Sequence, residues 1–496
     1  MGIILIGNMA DNNYIYNSQE YIKSLLRGMI TIDNRFSDFQ EKRMKIFGEL
    51  VRRYWNGKLK SNYDLNELAQ DIKERYGFTD DDMPFIKDHI RIAMGLDPKG
   101  DSEFKDELDI IKKSKEIGVP VIARIQGSCE HCGHDSCRCE DVCKYEAHIY
   151  RKSEGPVIVE NKCLSCGECV TACDFGAIAD KIEFLPLIDL LKDSNTPVFA
   201  SVAPAVVGQF GDDVSMGQLR TALKLIGFTD MVETALFADI LTIREALEFN
   251  HQVKNEGDVF LTSCCCPVWF NLTKKQYPEV FKRMSPSVSP MIASGRILKK
   301  LYKDAKVVFI SPCIAKKAEV KEPELKGAID FVINFRELSE IFSALDIHLK
   351  DLPGDEKDHA SMGGRIYART GGVSFSVKTV VNRLEPERVI KLKSKRVDGV
   401  SACNKILSDL SNGVDINANF VEGMGCSGGC VGGPRTNIDV SKATRMVNEF
   451  GEDSLILTPF DNLNVMKILK QLGINTIEEI IEDNEVNRLL TRKTEL

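Results

Sequence analysis

The sequence predicts an α+β protein of several domains: a helical N-terminal domain, a small cysteine-dense domain, and a larger α/β domain with parallel strands and crossover helices. Three observations support this division. Residues 1–115 contain no cysteine and show helical periodicity. Nine of the sixteen cysteines lie within residues 116–185. Residues 186–496 alternate short apolar runs, turns and amphipathic patterns, a rhythm typical of βα units.

The composition limits the classes of function. Of 496 residues, 43% are apolar and 28% charged, as in globular proteins. The net charge of −8 gives no basic surface for nucleic acid, and no apolar run approaches the ~20 residues that cross a bilayer. Gly2–Gly7 lacks the features of a signal peptide, so we expect a small strand or turn there and a cytoplasmic protein. Clumped cysteines in such a chain indicate metal binding or catalysis rather than disulfides.

The first domain is predicted to be helical throughout. Apolar residues recur at helical spacing in Tyr21–Ile30 and in Phe39–Trp55. Asp64 is expected to cap a helix over Leu65–Tyr76, which Gly77 would end. Nothing in this region suggests chemistry, so we interpret it as an accessory or docking domain.

The α/β domain contains several short apolar strand candidates. They are Pro197–Val202, Val259–Leu261, Val307–Ile310, Phe331–Ile333 and Phe420–Val421. Ligands of parallel sheets gather at the carboxyl ends of the strands, so cysteines that follow these strands could meet at one site. The polar tail, residues 436–496, is expected to be helical with one strand at Leu455–Thr458.

The cysteine-dense domain contains a run that is typical of ferredoxins. Cys163, Cys166, Cys169 and Cys173 have the spacing C-x2-C-x2-C-x3-C, in which three thiolates hold one cubane and the fourth reaches a neighbouring cluster. Gly167 allows the tight turn around the cluster. Asp174 stands where the pattern usually has proline. The run predicts a ferredoxin-like domain.

A less regular run precedes it and predicts a second 4Fe–4S cluster. The run comprises Cys129, Cys132, Cys137, Cys139 and Cys143. In two-cluster ferredoxins the halves exchange their last ligand, so Cys143 would join the first three cysteines of the later run. Cys129, Cys132 and Cys173 would hold the other cluster with either Cys137 or Cys139. His131 and His134 are alternative ligands, although enough cysteines are present.

Three further cysteine motifs lie in order along the α/β domain. They read Thr262-Ser-Cys-Cys-Cys-Pro-Val-Trp269, Ser311-Pro-Cys-Ile-Ala-Lys-Lys-Ala-Glu319 and Glu422-Gly-Met-Gly-Cys-Ser-Gly-Gly-Cys-Val-Gly-Gly433. Four cysteines from three loops can bind one cluster, and the glycines let the backbone approach a large inorganic body. Together the motifs closely resemble the three signatures of the iron-only (FeFe) hydrogenases. The resemblance covers roughly residues 120–435 and includes Ala203–Val206 and Thr370–Gly372.

The resemblance implies an H-cluster, in which a 4Fe–4S cubane is joined through a cysteine sulfur to a two-iron unit with CO, cyanide and a bridging dithiolate amine. The cubane ligands implied for this chain are Cys266, Cys313, Cys426 and Cys430, with Cys430 as the bridge. The residues implied to contact the cofactor are Ala203, Pro204, Met424 and Lys316. Lys316 falls where the family's lysine binds an iron-bound cyanide, as expected for a charged donor beside an anion.

The resemblance also implies a proton relay of a cysteine, a glutamate, a serine and a second glutamate. Cys265 directly precedes the implied ligand Cys266, and Glu245 lies twenty residues before Cys265. Glu248 follows one helical turn later, so both glutamates share a helix face. Ser285 lies at the family's spacing. A simple exposed helix face is the alternative for the two glutamates.

Several residues depart from the family pattern. The first motif has an additional cysteine, so Cys264 competes with Cys265 as the proton shuttle. Ser311 replaces a methionine, Ala205 a serine and Met291 a glutamine. These changes alter hydrogen bonding around the cluster and resemble the compact sensory branch of the family. A sensory, low-turnover hydrogenase is therefore expected, with a high-turnover hydrogen-evolving enzyme as the alternative.

The resemblance further implies partners. Hydrogen and protons would be the substrates, a ferredoxin-like or signalling protein would exchange electrons, and dedicated maturation proteins would supply the two-iron unit. Two functions of other classes compete with the enzyme. One is a hydrogenase-like iron–sulfur assembly protein without the two-iron unit, and the other is an electron-transfer or redox-sensing module.

Overall fold

A computed structural model describes residues 38–113, 121–125, 138–145, 147–151, 155–262 and 265–492. Gly2–Gly7 and Tyr21–Ile30, for which we expected a strand or turn and a helix, lie outside these residues. So do four cysteines, which are Cys129, Cys132, Cys137 and Cys264. Among the described helices, none is long and apolar enough to cross a membrane.

The strands of the described chain form four sheets. The strands are β1 Ile122–Arg124, β2 His148–Arg151, β3 Gly155–Ile158, β4 Ile178–Asp180, β5 Val198–Val202, β6 Asp230–Glu233, β7 Phe260–Leu261, β8 Lys306–Ser311, β9 Phe331–Asn334, β10 Ser394–Asp398 and β11 Phe420–Met424. β1 pairs with β4 and β2 with β3, both antiparallel. Two parallel sheets follow, with strand orders β6-β5-β8-β9 and β10-β11-β7.

Helices surround these sheets. They are α1 Asp38–Trp55, α2 Asn62–Tyr76, α3 Met83–Ala93, α4 Glu107–Lys113, α5 Arg138–Asp141, α6 Glu168–Ala172, α7 Phe184–Lys192, α8 Met216–Leu225, α9 Thr234–Gln252, α10 Pro267–Gln276, α11 Pro278–Phe281, α12 Pro290–Leu301, α13 Ala315–Glu319, α14 Phe335–Ala344, α15 Met362–Arg365, α16 Gly372–Leu384, α17 Val400–Ser411, α18 Val440–Glu452, α19 Leu463–Gln471 and α20 Glu485–Leu490.

The predicted fold class is confirmed, including the parallel strands with crossover helices. All five predicted strands of the α/β domain are present, because each is an apolar run buried in its sheet. The strand predicted at Leu455–Thr458 is wrong: this segment is irregular, and Leu455 is 92% exposed. β6 and β10 were not predicted, since each carries charged residues that mask its pairing.

The helix predicted over Phe39–Trp55 is confirmed as α1, and that over Leu65–Tyr76 as part of α2. The cap of α2 needs a correction. Ser61 is the N-cap residue, and the Asp64 carboxylate accepts hydrogen bonds from the backbone N–H of Lys60 and Ser61. Asp64 thus completes a capping box from the third helical position. Gly77 ends the helix with φ 69°, as expected.

α1 packs against α14, far along the chain. The two helices share a hydrophobic core that includes Phe47 and Phe342. At Gly48 the helices come so close that a Cβ atom would lie 2.3 Å from a carboxylate oxygen of Glu340. The helical region therefore packs directly on the α/β region, while the boundaries at residues 115 and 185 remain predictions.

A buried group of charges joins three parts of the chain. We call it the Asp180 cluster, and its members are Arg43, Asp180, Lys317, Glu337 and Arg435. Asp180 accepts hydrogen bonds from Arg43 at 3.0 Å, Lys317 at 2.9 Å and Arg435 at 2.5 Å. Lys317 also binds Glu337. Burial opposes ionisation of Asp180, but the three cations hold its pKa well below the usual range. Asp180 thereby ties α1 to the loops that follow β8 and β11.

Candidate functional site

The carboxyl ends of strands from both parallel sheets meet at one cavity. β5, β6, β7, β8 and β11 each end beside it, as expected for a ligand site of parallel sheets. The lining contains most of the residues expected at the cofactor, namely Ala203, Pro204, Cys265, Cys266, Cys313, Lys316, Met424, Cys426 and Cys430. Sequence-distant cysteines therefore converge, as the strand pattern predicted.

Glycines shape the wall on the side of β11. Gly429 has φ +90°, and a Cβ atom there would lie 2.7 Å from Met424 Sδ. At Gly425 a Cβ atom would lie 2.7 Å from the side chain of Val268. Any other residue at these positions would push the loop of Cys426 and Cys430 out of place.

The cavity thiols are buried and lie close together. Burial raises the pKa of the Cys313 thiol to about 12, with a further contribution from Cys266. Burial also raises the pKa of Cys426 and of Cys430. The Gly425 N–H donates a hydrogen bond to Cys266 Sγ at 3.2 Å. Such bonds to cysteine sulfur are among the features that tune iron–sulfur clusters.

The donor set of the cavity fits a cluster of iron and sulfur. Soft thiol ligands select such clusters, whereas hard cations need oxygen ligands. The rest of the wall is mostly apolar, with Ala235, Val268, Met291 and Phe309. A metal–sulfur body with small uncharged or anionic ligands suits this wall, and a polar organic substrate does not.

Lys316 contributes an ammonium group to the wall. The side chain is buried, unlike that of a solvated helix lysine. Its Nζ donates to Glu319 at 2.7 Å, and Arg492 also donates to Glu319 at 2.7 Å. Burial disfavours the charge of Lys316, but Glu319 outweighs it and raises the pKa of the lysine. Lys316 therefore stays charged beside the cavity.

Glu245 lies behind the cavity wall on α9. Its side chain is 0% exposed, so the alternative of an exposed helix face is wrong. The Thr262 hydroxyl lies 2.8 and 2.7 Å from the two carboxylate oxygens of Glu245. Thr262 directly follows β7 and lies four residues before Cys266.

Glu248 lies one turn further along α9 and is 6% exposed. Ser285 donates a hydrogen bond to it at 2.5 Å, which joins two residues of the implied relay. Arg244 also donates to Glu248, at 2.7 Å, and forms a buried ion pair with it. Ser285 is held by its own backbone, since its N–H donates to the carbonyl of Leu261 in β7.

The departures from the family pattern occur in or near the wall. Ser311 and Met291 line the cavity, and Ala205 is fully buried in the turn after β5. Thr234 adds a hydroxyl to the wall, 2.8 Å from the hydroxyl of Ser201. The cavity is thus lined by the Thr234 hydroxyl directly after β6 and by the Met291 thioether near the start of α12.

The described ferredoxin cysteines form a second group. Neighbouring thiols influence one another here: burial raises the pKa of Cys169, and Cys166, Cys163, Cys139 and Cys143 add to the shift. Cys173 packs against the same buried residues as Cys139. The proximity of Cys143 to the later run agrees with the expected exchange of ligands. The choice between Cys137 and Cys139 stays open, because Cys137 lies outside the described residues.

The ferredoxin cysteines lie beside the cysteines of the cavity. Cys166 of the ferredoxin run lines the cavity itself, and its charge would act on Cys426. The adjacent Gly167 has φ +83°, and a Cβ atom there would lie 2.6 Å from the side chain of Ile314 and 3.1 Å from that of Pro434. The ferredoxin turn therefore fits directly against the loops that carry Cys313 and Cys430.

Sequence reasoning missed several residues that hold the site. Arg244 stands four residues before Glu248, a spacing that predicts a helical ion pair and could have revealed it. Thr262 stood in the first motif but had no assigned role. The partners of Asp180 lie more than 100 residues away in sequence, and no local pattern points to them.

Comparisons with known proteins agree with this geometry. Residues 196–434 match the family of the iron-only hydrogenase large subunit, C-terminal domain, and residues 156–179 match a 4Fe-4S binding domain. The chain is 28% identical over 328 residues to the NADP-reducing hydrogenase subunit HndD of Solidesulfovibrio fructosivorans, covering 56% of each chain. It is 27% identical over 376 residues to iron hydrogenase 1 of Clostridium pasteurianum, covering 58% of this chain and 65% of that one. The chain thus spans less than two thirds of these relatives' lengths.

Other similarities are more distant. A solved [FeFe]-hydrogenase structure superposes with a TM-score of 0.50 at 21% identity, covering 62% of this chain and 97% of that chain, and supports the fold alone. The cytosolic Fe-S cluster assembly factor NAR1 of Candida dubliniensis is 27% identical over 182 residues, covering 33% of this chain and 30% of that one. The chain thus contains a domain at residues 196–434 that matches the iron-only hydrogenase large subunit, C-terminal domain, and a 4Fe-4S binding domain at residues 156–179, and it is similar to iron-only hydrogenases.

Proposed function

We propose that the protein interconverts molecular hydrogen with two protons and two electrons at an H-cluster. The observation that carries the proposal is the single cavity lined by four cysteines from three loops, with Lys316 and Cys265 beside them and a ferredoxin cysteine in the same wall. When bound, the two-iron unit with its bridging amine would supply the metal and base chemistry that splits or forms the H–H bond.

The protein's own residues would hold this cofactor. Cys266, Cys313, Cys426 and Cys430 would bind the cubane. Lys316 would offer a charged donor to an anionic ligand, because its ammonium group is buried and its charge is kept by Glu319. Ala203, Pro204 and Met424 would pack around the cofactor and exclude water from it.

Electrons would pass through the ferredoxin segment. Cys163, Cys166, Cys169 and Cys143 would hold the nearer 4Fe–4S cluster. Cys129, Cys132 and Cys173, with Cys137 or Cys139, would hold the second cluster. The position of Cys166 in the cavity wall supports direct transfer between the nearer cluster and the site. A ferredoxin-like or signalling protein would be the external electron partner.

Protons would move along the relay behind the wall. The Cys265 thiol faces the cavity, Glu245 is held by a hydroxyl, and Ser285 is bonded to Glu248. Thiol, carboxyl and hydroxyl groups can each accept a proton on one side and release one on the other. Each hydrogen molecule oxidised would send two protons along these groups.

We further propose that turnover is slow, as in a sensory hydrogenase. Support comes from Ser311 and Met291, which line the cavity with side chains that differ from those of the prototypical enzymes. Such changes alter hydrogen bonds to the cofactor and therefore its potential. Maturation proteins would be needed to supply the two-iron unit.

An assembly protein is the second candidate, and the similarity to NAR1 favours it. Such a protein would bind cubanes without the two-iron unit. The buried, hydrogen-bonded glutamates Glu245 and Glu248 speak for the enzyme, because a scaffold has no need to move protons to its cluster.

The test is maturation with a synthetic two-iron cofactor, followed by infrared spectroscopy of the CO and cyanide bands and by hydrogen evolution in the same sample. Bands with turnover that collapses in Cys265→Ala support the enzyme and this choice of shuttle. Cys403→Ala is a matched control: Cys403 is buried and donates to the Met424 carbonyl at 3.3 Å. Turnover retained in Cys265→Ala would move the shuttle to Cys264. A sample without bands would leave a cubane-only scaffold or electron carrier.

A further inference from the structure

Thr262 is held in place on both sides of its peptide unit. Its N–H donates to the carbonyl of Val421 in β11 at 3.1 Å. Its carbonyl accepts a hydrogen bond from the indole N–H of Trp269 at 2.8 Å. The side chain is 2% exposed. Strand pairing and the tryptophan therefore fix the direction of the hydroxyl, which lies against both carboxylate oxygens of Glu245.

The hydroxyl has a defined effect on this carboxyl group. A carboxylate only accepts hydrogen bonds, whereas a protonated carboxyl also donates one. A hydroxyl that donates to the carboxylate therefore favours its ionised form, while burial favours the protonated form. Glu248 has a different kind of partner, because the Arg244 guanidinium donates to that carboxylate.

We propose that Thr262 is a positioning residue that sets how tightly Glu245 holds its proton. The inference rests on the proposed role of Glu245 in proton transfer and adds a residue to that relay. Thr262 is not among the residues that line the cavity, and its proposed effect is exerted through Glu245. A proton relay requires a carboxyl group that can both take up and release a proton, and a neutral hydroxyl partner allows both states.

Charged groups on the elements packed against α9 also have to be considered, because they could act on the same carboxyl. Four of these groups bind other partners in the structure. Glu422 on β11 accepts a hydrogen bond from Gly371, and Arg296 on α12 donates one to Thr491. Arg365 on α15 binds Glu233 of β6, and Arg383 on α16 binds Asp461. Lys378, Lys467 and Lys470 are exposed. Cys265 on the loop after β7 and the pair Arg244 and Glu248 on α9 remain as neighbours. An experiment must therefore observe Glu245 itself.

Infrared titration of the protein without its two-iron unit provides such an observation. The C=O band of the protonated carboxyl is assigned to Glu245 by its loss in Glu245→Gln, and its midpoint is followed with pH. Thr262→Val keeps the shape of the side chain and removes the hydroxyl. We expect its midpoint to rise by about one pH unit, as for the loss of a hydrogen bond to a charged group.

Two further variants separate this effect from a general disturbance. Thr262→Ser restores the hydroxyl and is expected to restore the wild-type midpoint. Thr273→Val is the matched control, since Thr273 is equally buried and its hydroxyl donates to the Trp269 carbonyl at 2.9 Å instead of to Glu245. We expect a wild-type midpoint in Thr273→Val. An unchanged midpoint in Thr262→Val, or an equal shift in Thr273→Val, would overturn the proposal.

The matured enzyme gives a second readout. The pH dependence of hydrogen turnover should move upward in Thr262→Val by the same amount, with unchanged CO and cyanide bands. A wild-type protein without these bands refutes the proposed function but leaves the titration to decide the role of Thr262. Normal bands and turnover with an unmoved titration in Thr262→Val refute the role of Thr262 alone.

Discussion

Two buried carboxylates, Asp180 and Glu245, have hydrogen-bond partners of different kinds. Asp180 is surrounded by Arg43, Lys317 and Arg435, all within hydrogen-bond distance. Glu245 is approached by the neutral hydroxyl of Thr262. Both carboxylates are 0% exposed. The two carboxylates are therefore equally buried, and they differ in the groups that hydrogen-bond to them.

The comparison distinguishes Asp180, a carboxylate that stays ionised and holds segments together, from Glu245, a carboxyl group that can gain and lose a proton. Three cations keep Asp180 ionised, so it can join the segments that hold the site but cannot carry a proton. A hydroxyl stabilises a carboxylate without fixing its charge, because it can donate to the ionised form and accept from the protonated form. Partner chemistry, more than burial, therefore indicates which buried acids belong to a proton path.

Substitution of Asp180 should have the largest effect, and this effect is on the stability of the fold. Asp180→Ala leaves Arg43 and Arg435 without this buried anion and Lys317 with Glu337 alone, and we expect a loss of about 3–5 kcal/mol in the free energy of unfolding. The measurement is urea unfolding followed by the fluorescence of Trp55 and Trp269. Glu279→Ala is the control, because it breaks an exposed ion pair with Lys282 and should cost at most about 1 kcal/mol. Equal losses in the two variants would contradict the structural role of Asp180.

Substitution of Glu245 should lower hydrogen turnover rather than the stability of the fold. Glu245→Gln keeps the size of the side chain but cannot accept a proton at the same place, and we expect hydrogen turnover to fall by about 10²–10⁴-fold. The CO and cyanide bands should stay unchanged. Glu337→Gln changes a buried glutamate of the Asp180 cluster and should lower stability while retaining most of the turnover. A larger loss of turnover in Glu337→Gln would reverse the comparison.

Glu248 lies between the two extremes, since it has both a guanidinium and hydroxyl partners. Arg244→Met removes the cation and should make Glu248 resemble Glu245. We expect hydrogen turnover to fall by roughly tenfold or less, because Arg244 holds the Glu248 carboxylate that Ser285 binds. Arg296→Met is the control: Arg296 binds the carbonyls of Leu489 and Thr491, in the C-terminal segment that Arg244 also contacts at Asn487 and Thr491. An equal loss of turnover in both variants would point to the C-terminal segment rather than to Glu248.

The smallest effect concerns acid stability. Cations hold the pKa of Asp180 well below its ordinary 3.8. Its stabilising contribution is therefore fully present above about pH 4 and is lost only when the pH falls through the lowered folded-state pKa. The difference in urea midpoint between wild type and Asp180→Ala should be the same at pH 7 and pH 5.5. A difference that already fades between these two pH values would contradict the assigned charge.

The sequence was most informative where apolar runs ended in cysteine loops. The strand ends at Val202, Leu261, Ser311 and Met424 were close to their predicted positions, because buried strands have a strong local pattern. From these ends and the cysteine motifs, most of the cavity lining could be anticipated.

The rest depends on contacts between distant segments. β10 is a polar strand at the edge of its sheet and has no apolar signal. Arg435 meets Asp180 across 255 residues, which no local pattern can encode. The role of Thr262 follows from its contact with Glu245 on α9, which the sequence alone does not reveal.

The packing of α1 on α14 has a consequence for the newly made chain. Lys45 meets Glu340, which is 295 residues later. At roughly 5–20 residues per second, a ribosome needs on the order of 15–60 s between these two points. During that interval α1 can pack on α2 and α3, but the part of its surface that meets α14 has no partner. This part of α1 therefore stays exposed until α14 has been made.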